Sequence, residues 1–169
     1  MNVLVIALRL IHVMAGVLWV GAALVNTFFL APSVAATGES GQTLMTHLVG
    51  QARFGARVTL ASYVTVLAGA LLYWIDSRAF TSAWTTSGPG IGFGLGALAG
   101  IAGLGFGQVV GKSYARIAAV AGQVQGTPNP AQHAALELAR RRMTSAGRVS
   151  TVLLVAALAC MATARYWFI

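Results

Sequence analysis

Predominantly apolar runs recur at residues 3–31, 58–75, 89–111 and 149–168, separated by short stretches rich in polar residues, glycine and proline. A hydrocarbon core about 30 Å thick needs about 20 residues of α-helix at about 1.5 Å rise each, and each run is about that long or longer. No stretch shows the period-two alternation of a half-buried strand. The pattern predicts an all-α chain in which residues 1–169 form one integral membrane four-helix bundle. Ser33 and Ala35 after the first run resemble a signal-peptide cleavage site. That run is too long for a signal peptide and no basic residue precedes it, so a retained first helix is expected.

Punctuation well beyond the apolar runs predicts that three helices continue past the membrane on one side. Ser40 and Gly41 precede the second, Gly126 follows the third, and Asn129 with Pro130 precedes the fourth, reading as an N-cap followed by proline at the first helical position. That side carries Arg53, Arg57, Lys112, Arg116, Arg140, Arg141, Arg142 and Arg148, whereas the other has Arg9, Arg78 and Arg165. The positive-inside rule then places the basic extensions in the cytoplasm and both termini outside.

Composition agrees with this pattern. The chain is 57% hydrophobic and 8% charged, which excludes an ordinary soluble domain, and its net charge of +8 suits anionic phospholipid at a membrane surface rather than nucleic acid. One cysteine, Cys160, excludes an intrachain disulfide framework and a cysteine-only zinc site in a single copy. Three acidic residues, Glu39, Asp76 and Glu137, leave little for acid-base chemistry. The sequence leaves open whether the protein is an enzyme.

Candidate chemistry lies on the first helix, where Arg9, His12, Gly16, Trp19, Ala23 and Asn26 follow one another at steps of three and four and share a face. Polar groups are expensive in lipid, so this face should look into the bundle. Gly16 removes bulk between His12 and Trp19, leaving room for a planar or metallic ligand or for a neighbouring helix. Depth along the helices puts His12, Thr65, Gly100, Cys160 and Met161 in one layer. Imidazole with thioether sulfur suits copper(I), and is also an axial pair for haem. Arg9, one turn outward, either pairs with Asp76 or neutralises an anionic ligand group. His47 and His133 fall in the basic extensions, which disfavours two-histidine haem ligation within one subunit. The third helix carries Gly92, Gly96 and Gly100, then Gly103, Gly107 and Gly111, a spacing that lets helices approach closely within a subunit or across a dimer. Gly111, Lys112 and Ser113 look like the end of a phosphate-binding loop, but Phe106 stands where its first glycine is required.

His12, Trp19, Gly21 and Pro32 together resemble the first helix of the copper-resistance-D-like group of small membrane proteins, and Met161 to Tyr166 resembles its last helix. The resemblance spans most of the chain and implies a bacterial inner-membrane location with a link to copper homeostasis. Membrane protoporphyrinogen oxidase of the HemJ type looks like a more distant relation, which adds haem or porphyrin as a ligand class. The expected function is binding of copper or a haem-like cofactor at His12, Arg9, Gly16 and Trp19, with His12 and Met161 as metal donors. The alternative is a non-catalytic accessory subunit of a larger membrane complex, or a homo-oligomer, packing through the glycines.

Overall fold

The computed structural model describes residues 3–124 and 126–167, and every regular element among them is helical. Helix α1 spans Val3–Val25 and passes through a wide π-turn at Asn26–Leu30 directly into α2, Ala31–Thr37. After Gly38 come α3, Glu39–Gly50, then α4, Phe54–Asp76, α5, Gly88–Ala121, and α6, Pro130–Thr163. Four stretches are long and apolar enough to cross a membrane: Val3–Thr37, Phe54–Asp76, Gly88–Ala121 and Pro130–Tyr166. All four predicted runs are thus helical, and the predicted end of the last, Phe168, lies outside the described residues.

Pro32 does not close the first helix as its sequence position suggests. A proline has no N–H for the carbonyl four residues back, and its ring crowds that carbonyl. The chain widens just upstream, where the Ala31 N–H reaches the Asn26 carbonyl five residues back, and the helix then runs on to Thr37. The second helix is also not one continuous extension from Gly41. It breaks at Arg53, whose left-handed φ of 48° follows Gln51 and Ala52, both donating their N–H groups to the His47 carbonyl. Gly38, at φ +57°, turns α2 into α3 as a separate small hairpin, in which buried Gly41 lies against the Val34 backbone.

The other two extensions follow the expected pattern. Helix α5 continues to Ala121 before a turn containing Gly126 at φ +82°. Helix α6 starts at Pro130 under a capping box, with the Asn129 side chain accepting from Gln132 N–H at 2.9 Å and the Gln132 side chain accepting from Asn129 N–H at 2.9 Å. At 34 residues each, α5 and α6 are about 50 Å long, well beyond one bilayer core.

Two antiparallel hairpins make the bundle. One pairs α5 with α6 along most of their length and the other pairs α1 with α4, while α4 to α5 and α1 to α6 contacts join them. Glycine sets the closeness of the first pair. A Cβ on Gly92 would lie 2.8 Å from Ala164 Cβ, one on Gly96 2.8 Å from Met161 Cγ, and one on Gly103 3.0 Å from Leu154 Cδ2. Ser150 adds a hydrogen bond from its hydroxyl to the Gly103 carbonyl at 2.8 Å. The glycine run therefore serves packing within this chain, although Gly100 and Gly111 have open space where a Cβ would stand. Trp19, Ala61 and Leu154 form the buried core between α1, α4 and α6.

Candidate functional site

The predicted face of α1 meets α4. His12 lies on the α4 backbone, its Nδ1 2.8 Å from the Thr65 carbonyl oxygen. A carbonyl only accepts, so Nδ1 is the protonated nitrogen, and in the neutral ring Nε2 keeps its lone pair. Gly69, one turn beyond Thr65, provides the seat: a Cβ there would fall 2.8 Å from His12 Cε1 and 3.0 Å from Nδ1. One turn inward along α1, Gly16 faces Thr65 Cγ2, 3.6 Å from where its own Cβ would stand. Helix α4 thus borders the gap at Gly16 through the Thr65 side chain.

The remaining site residues spread around this seam. Arg9 Nη2 stands 3.7 Å from Asp76 Oδ2, an ion pair at the loop end of α4 with both side chains partly exposed. Such a pair in contact with solvent contributes about 0–1 kcal/mol, so it orients Arg9 more than it stabilises the fold. Trp19 is 5% exposed and packs in the core cluster. Met161 fits the notch left by Gly96 on α5, with Cys160 Cβ 3.4 Å from the same position.

The registers of the helices relate these groups. Trp19, Ala61 and Leu154 form one cluster where α1, α4 and α6 meet. Seven residues outward on α1 is His12, and seven residues onward on α6 is Met161. Seven residues are two helical turns to within about 20°, so His12 shares the face of α1 that carries Trp19 and meets α4, and Met161 shares the face of α6 that carries Leu154 and meets α5. Because α1 and α6 run in opposite directions, both steps lead toward the Arg9 end, and His12 and Met161 share a depth. Of the predicted layer, His12 and Thr65 are in direct contact, whereas Cys160 and Met161 lie against Gly96 of α5 rather than Gly100.

Other interior hydroxyls bond either their own helix, as Thr65 does to the Ala61 carbonyl at 2.7 Å, or a neighbouring one. Thr27 and Thr151 share a hydroxyl-to-hydroxyl hydrogen bond at 2.8 Å, and the Thr151 hydroxyl also reaches the Gly147 carbonyl at 2.9 Å. His47 and His133 are exposed on α3 and α6, apart from the seam. A cavity of about 250 Å³ lies between α2 and α3, lined by Leu30, Val34 and Leu44 among others, on elements that do not carry His12. Among the described residues no group of three or more His, Cys, Asp or Glu is placed to hold a metal ion.

Two features escaped sequence reasoning. Gly69 is the one glycine in the run 58–75, and a glycine inside a helix signals close approach of another group, here the imidazole. The Thr27–Thr151 bond left no signal, because threonine serves equally well bonded to its own helix. No family model matches the chain, and neither the curated proteins nor the solved structures compared with it include a match.

Proposed function

We propose that this chain is a multi-pass protein of the bacterial inner membrane, with its basic end in the cytoplasm and both termini outside, which binds a soft metal or a haem-like cofactor through His12. The membrane part rests on exposed apolar surface. In the most apolar 18-residue window of the α1 stretch only 6% is buried, and Leu10, Val13, Met14, Val17 and Leu18 all point outward. Patches of that size on a soluble monomer need covering, and lipid covers them without cost.

The observation that carries the ligand reading is the His12 Nδ1 bond to the Thr65 carbonyl. A metal-ligating histidine commonly donates its other ring N–H to a carbonyl, which fixes the ring orientation and raises the basicity of the free nitrogen. Met161 at the same depth supplies thioether sulfur, so the donor chemistry fits copper(I) or haem iron. A bound metal of this kind would supply one-electron or metal-transfer chemistry. His12 Nε2 and Met161 would hold it, the Thr65 carbonyl would fix the imidazole, and Arg9 would place positive charge one turn outward. The likeness of His12, Trp19, Gly21 and Pro32 to copper-resistance-D-like proteins supports the same reading.

The test is an absorption spectrum of gently purified protein, oxidised and reduced, with copper and iron analysis of the same sample and of His12→Ala. A redox-sensitive Soret band with iron, or copper without that band, lost in a folded His12→Ala protein, is expected. Equal metal and pigment content in the two proteins would reject the site. A second reading, an accessory subunit, draws on the interior hydroxyls: Thr27, Ser150 and Thr151 are all engaged in contacts between helices, as in a packing module. Large partners in fixed proportion, with no metal or pigment, would favour it.

A further inference from the structure

At the basic end of the bundle, α6 carries a shallow outward groove of about 270 Å³ formed by Arg148, Val149, Val152 and Leu153. The helix turns two different faces here. Ser150, Thr151 and Leu154 are buried against the other helices, whereas Arg148, Val149 and Val152 are exposed. The groove surface is apolar throughout, including the aliphatic stem that Arg148 contributes, and the charge of Arg148 is carried just beyond it. Arg148 is the last charged residue before the apolar run that continues to Thr163.

Charge around the groove is one-sided. The α5 residue Val110 lies beside Gly147, 3.8 Å from the position of a Cβ there, which sets Lys112 near the same level. Arg140, Arg141 and Arg142 lie two turns back on α6. Of the three acidic residues, Glu137 is bound by Arg141 at 2.7 Å and Asp76 by Arg9, and among the described residues no carboxylate pairs with Arg148.

We propose that this groove binds one anionic phospholipid of the surrounding leaflet, with its phosphate on the Arg148 guanidinium and an acyl chain along Val149, Val152 and Leu153. The inference rests on the membrane reading above but not on the His12 ligand. Both halves of the groove are needed. A guanidinium fork recognises a phosphate through paired hydrogen bonds, and an apolar channel leading away from it toward the bilayer centre suits a chain rather than a free ion.

Native mass spectrometry of the full chain in detergent tests this, with titration by dioleoyl phosphatidylglycerol and, separately, dioleoyl phosphatidylcholine. One saturable phosphatidylglycerol adduct is expected. Arg148→Gln should reduce its preference over phosphatidylcholine by about five-fold, the effect of one basic residue near an anionic lipid. Arg142→Gln, which removes the same charge from the same end, should leave the preference unchanged. Val152→Trp, which fills the groove and keeps every charge, should also weaken the adduct. The site is overturned if the two lipids bind equally, if Arg142→Gln acts as strongly as Arg148→Gln, if Val152→Trp has no effect, or if inorganic phosphate alone displaces the lipid. Alkaline extraction of cell membranes reads insertion separately, so failure of the membrane reading is distinguishable from failure of this site.

Discussion

Replacing Gly69 with alanine puts a methyl group where the imidazole of His12 now lies. The added Cβ would be 2.8 Å from Cε1 and 3.0 Å from Nδ1. To restore ordinary contact the ring must move by roughly 0.6 Å, and it is rigid and tied to the Thr65 carbonyl. Overpacking costs about 1–3 kcal/mol. A lost or stretched hydrogen bond adds about 0.5–1.5 kcal/mol. Alanine gives back about 1 kcal/mol through its helix preference. The net loss for Gly69→Ala is therefore about 0.5–3.5 kcal/mol, and the clash outweighs the propensity. In a His12→Ala background the obstacle is gone, so the same change should be neutral or stabilising by up to about 1 kcal/mol. Unfolding in mixed detergent micelles, followed by tryptophan fluorescence, measures all four proteins of the cycle. An equal cost of Gly69→Ala in both backgrounds would refute the seat, because the methyl group would then be meeting something other than the imidazole.

Three further outcomes follow from the same unfolding measurement. Gly92→Ala should lower stability by about 1–3 kcal/mol, since its Cβ would meet the Ala164 Cβ and Cα at 2.8 and 2.9 Å and force α5 from α6, while Gly105→Ala, facing open space, should be neutral or slightly stabilising. Thr27→Val removes the hydroxyl shared with Thr151 and should cost about 0.6 kcal/mol, small because Thr151 keeps the Gly147 carbonyl. Ala79→Gly should stabilise: Arg78, Ala79 and Phe80 all have positive φ, at 49°, 58° and 65°. A left-handed alanine carries about 1–2 kcal/mol of strain, against about 0.4–1 kcal/mol of extra chain entropy for glycine, a net gain of up to about 1.6 kcal/mol.

Length and hydropathy made the four long helices legible, because the requirement to span about 30 Å without polar interruption is a property of sequence alone. Local chemistry made the start of α6 legible too, since Asn129, Pro130 and Gln132 specify a capped N-terminus by themselves. The break at Arg53 and the passage through Pro32 were not legible. Both are backbone solutions, a left-handed residue at Arg53 and a wide turn ahead of Pro32, and neither is dictated by hydropathy: a proline can end a helix or, as here, be accommodated by a turn that widens before it. The site divided in the same way. His12 and Arg9 were visible as rare polar residues in an apolar run, and Asp76 as the acid nearest to Arg9 in depth. What seats the imidazole is a backbone carbonyl and a missing side chain on another helix, features that a sequence does not display. The place of Trp19 was half legible: its position on the polar face of α1 turns it into the bundle, but its packing with Ala61 and Leu154 depends on which helices meet there.

The histidine tautomer tests the account most directly. Nitrogen-15 NMR of histidine-labelled protein in a lipid bilayer, assigned by comparison with His12→Ala, reads which ring nitrogen of His12 carries the proton. The geometry requires hydrogen on Nδ1 and a bare Nε2, and the Nε2 resonance should shift when copper(I) or haem is added while the Nδ1 proton stays in place. A proton on Nε2 with a bare Nδ1 would contradict the bond to Thr65, and with it the claim that this nitrogen is held ready for a ligand.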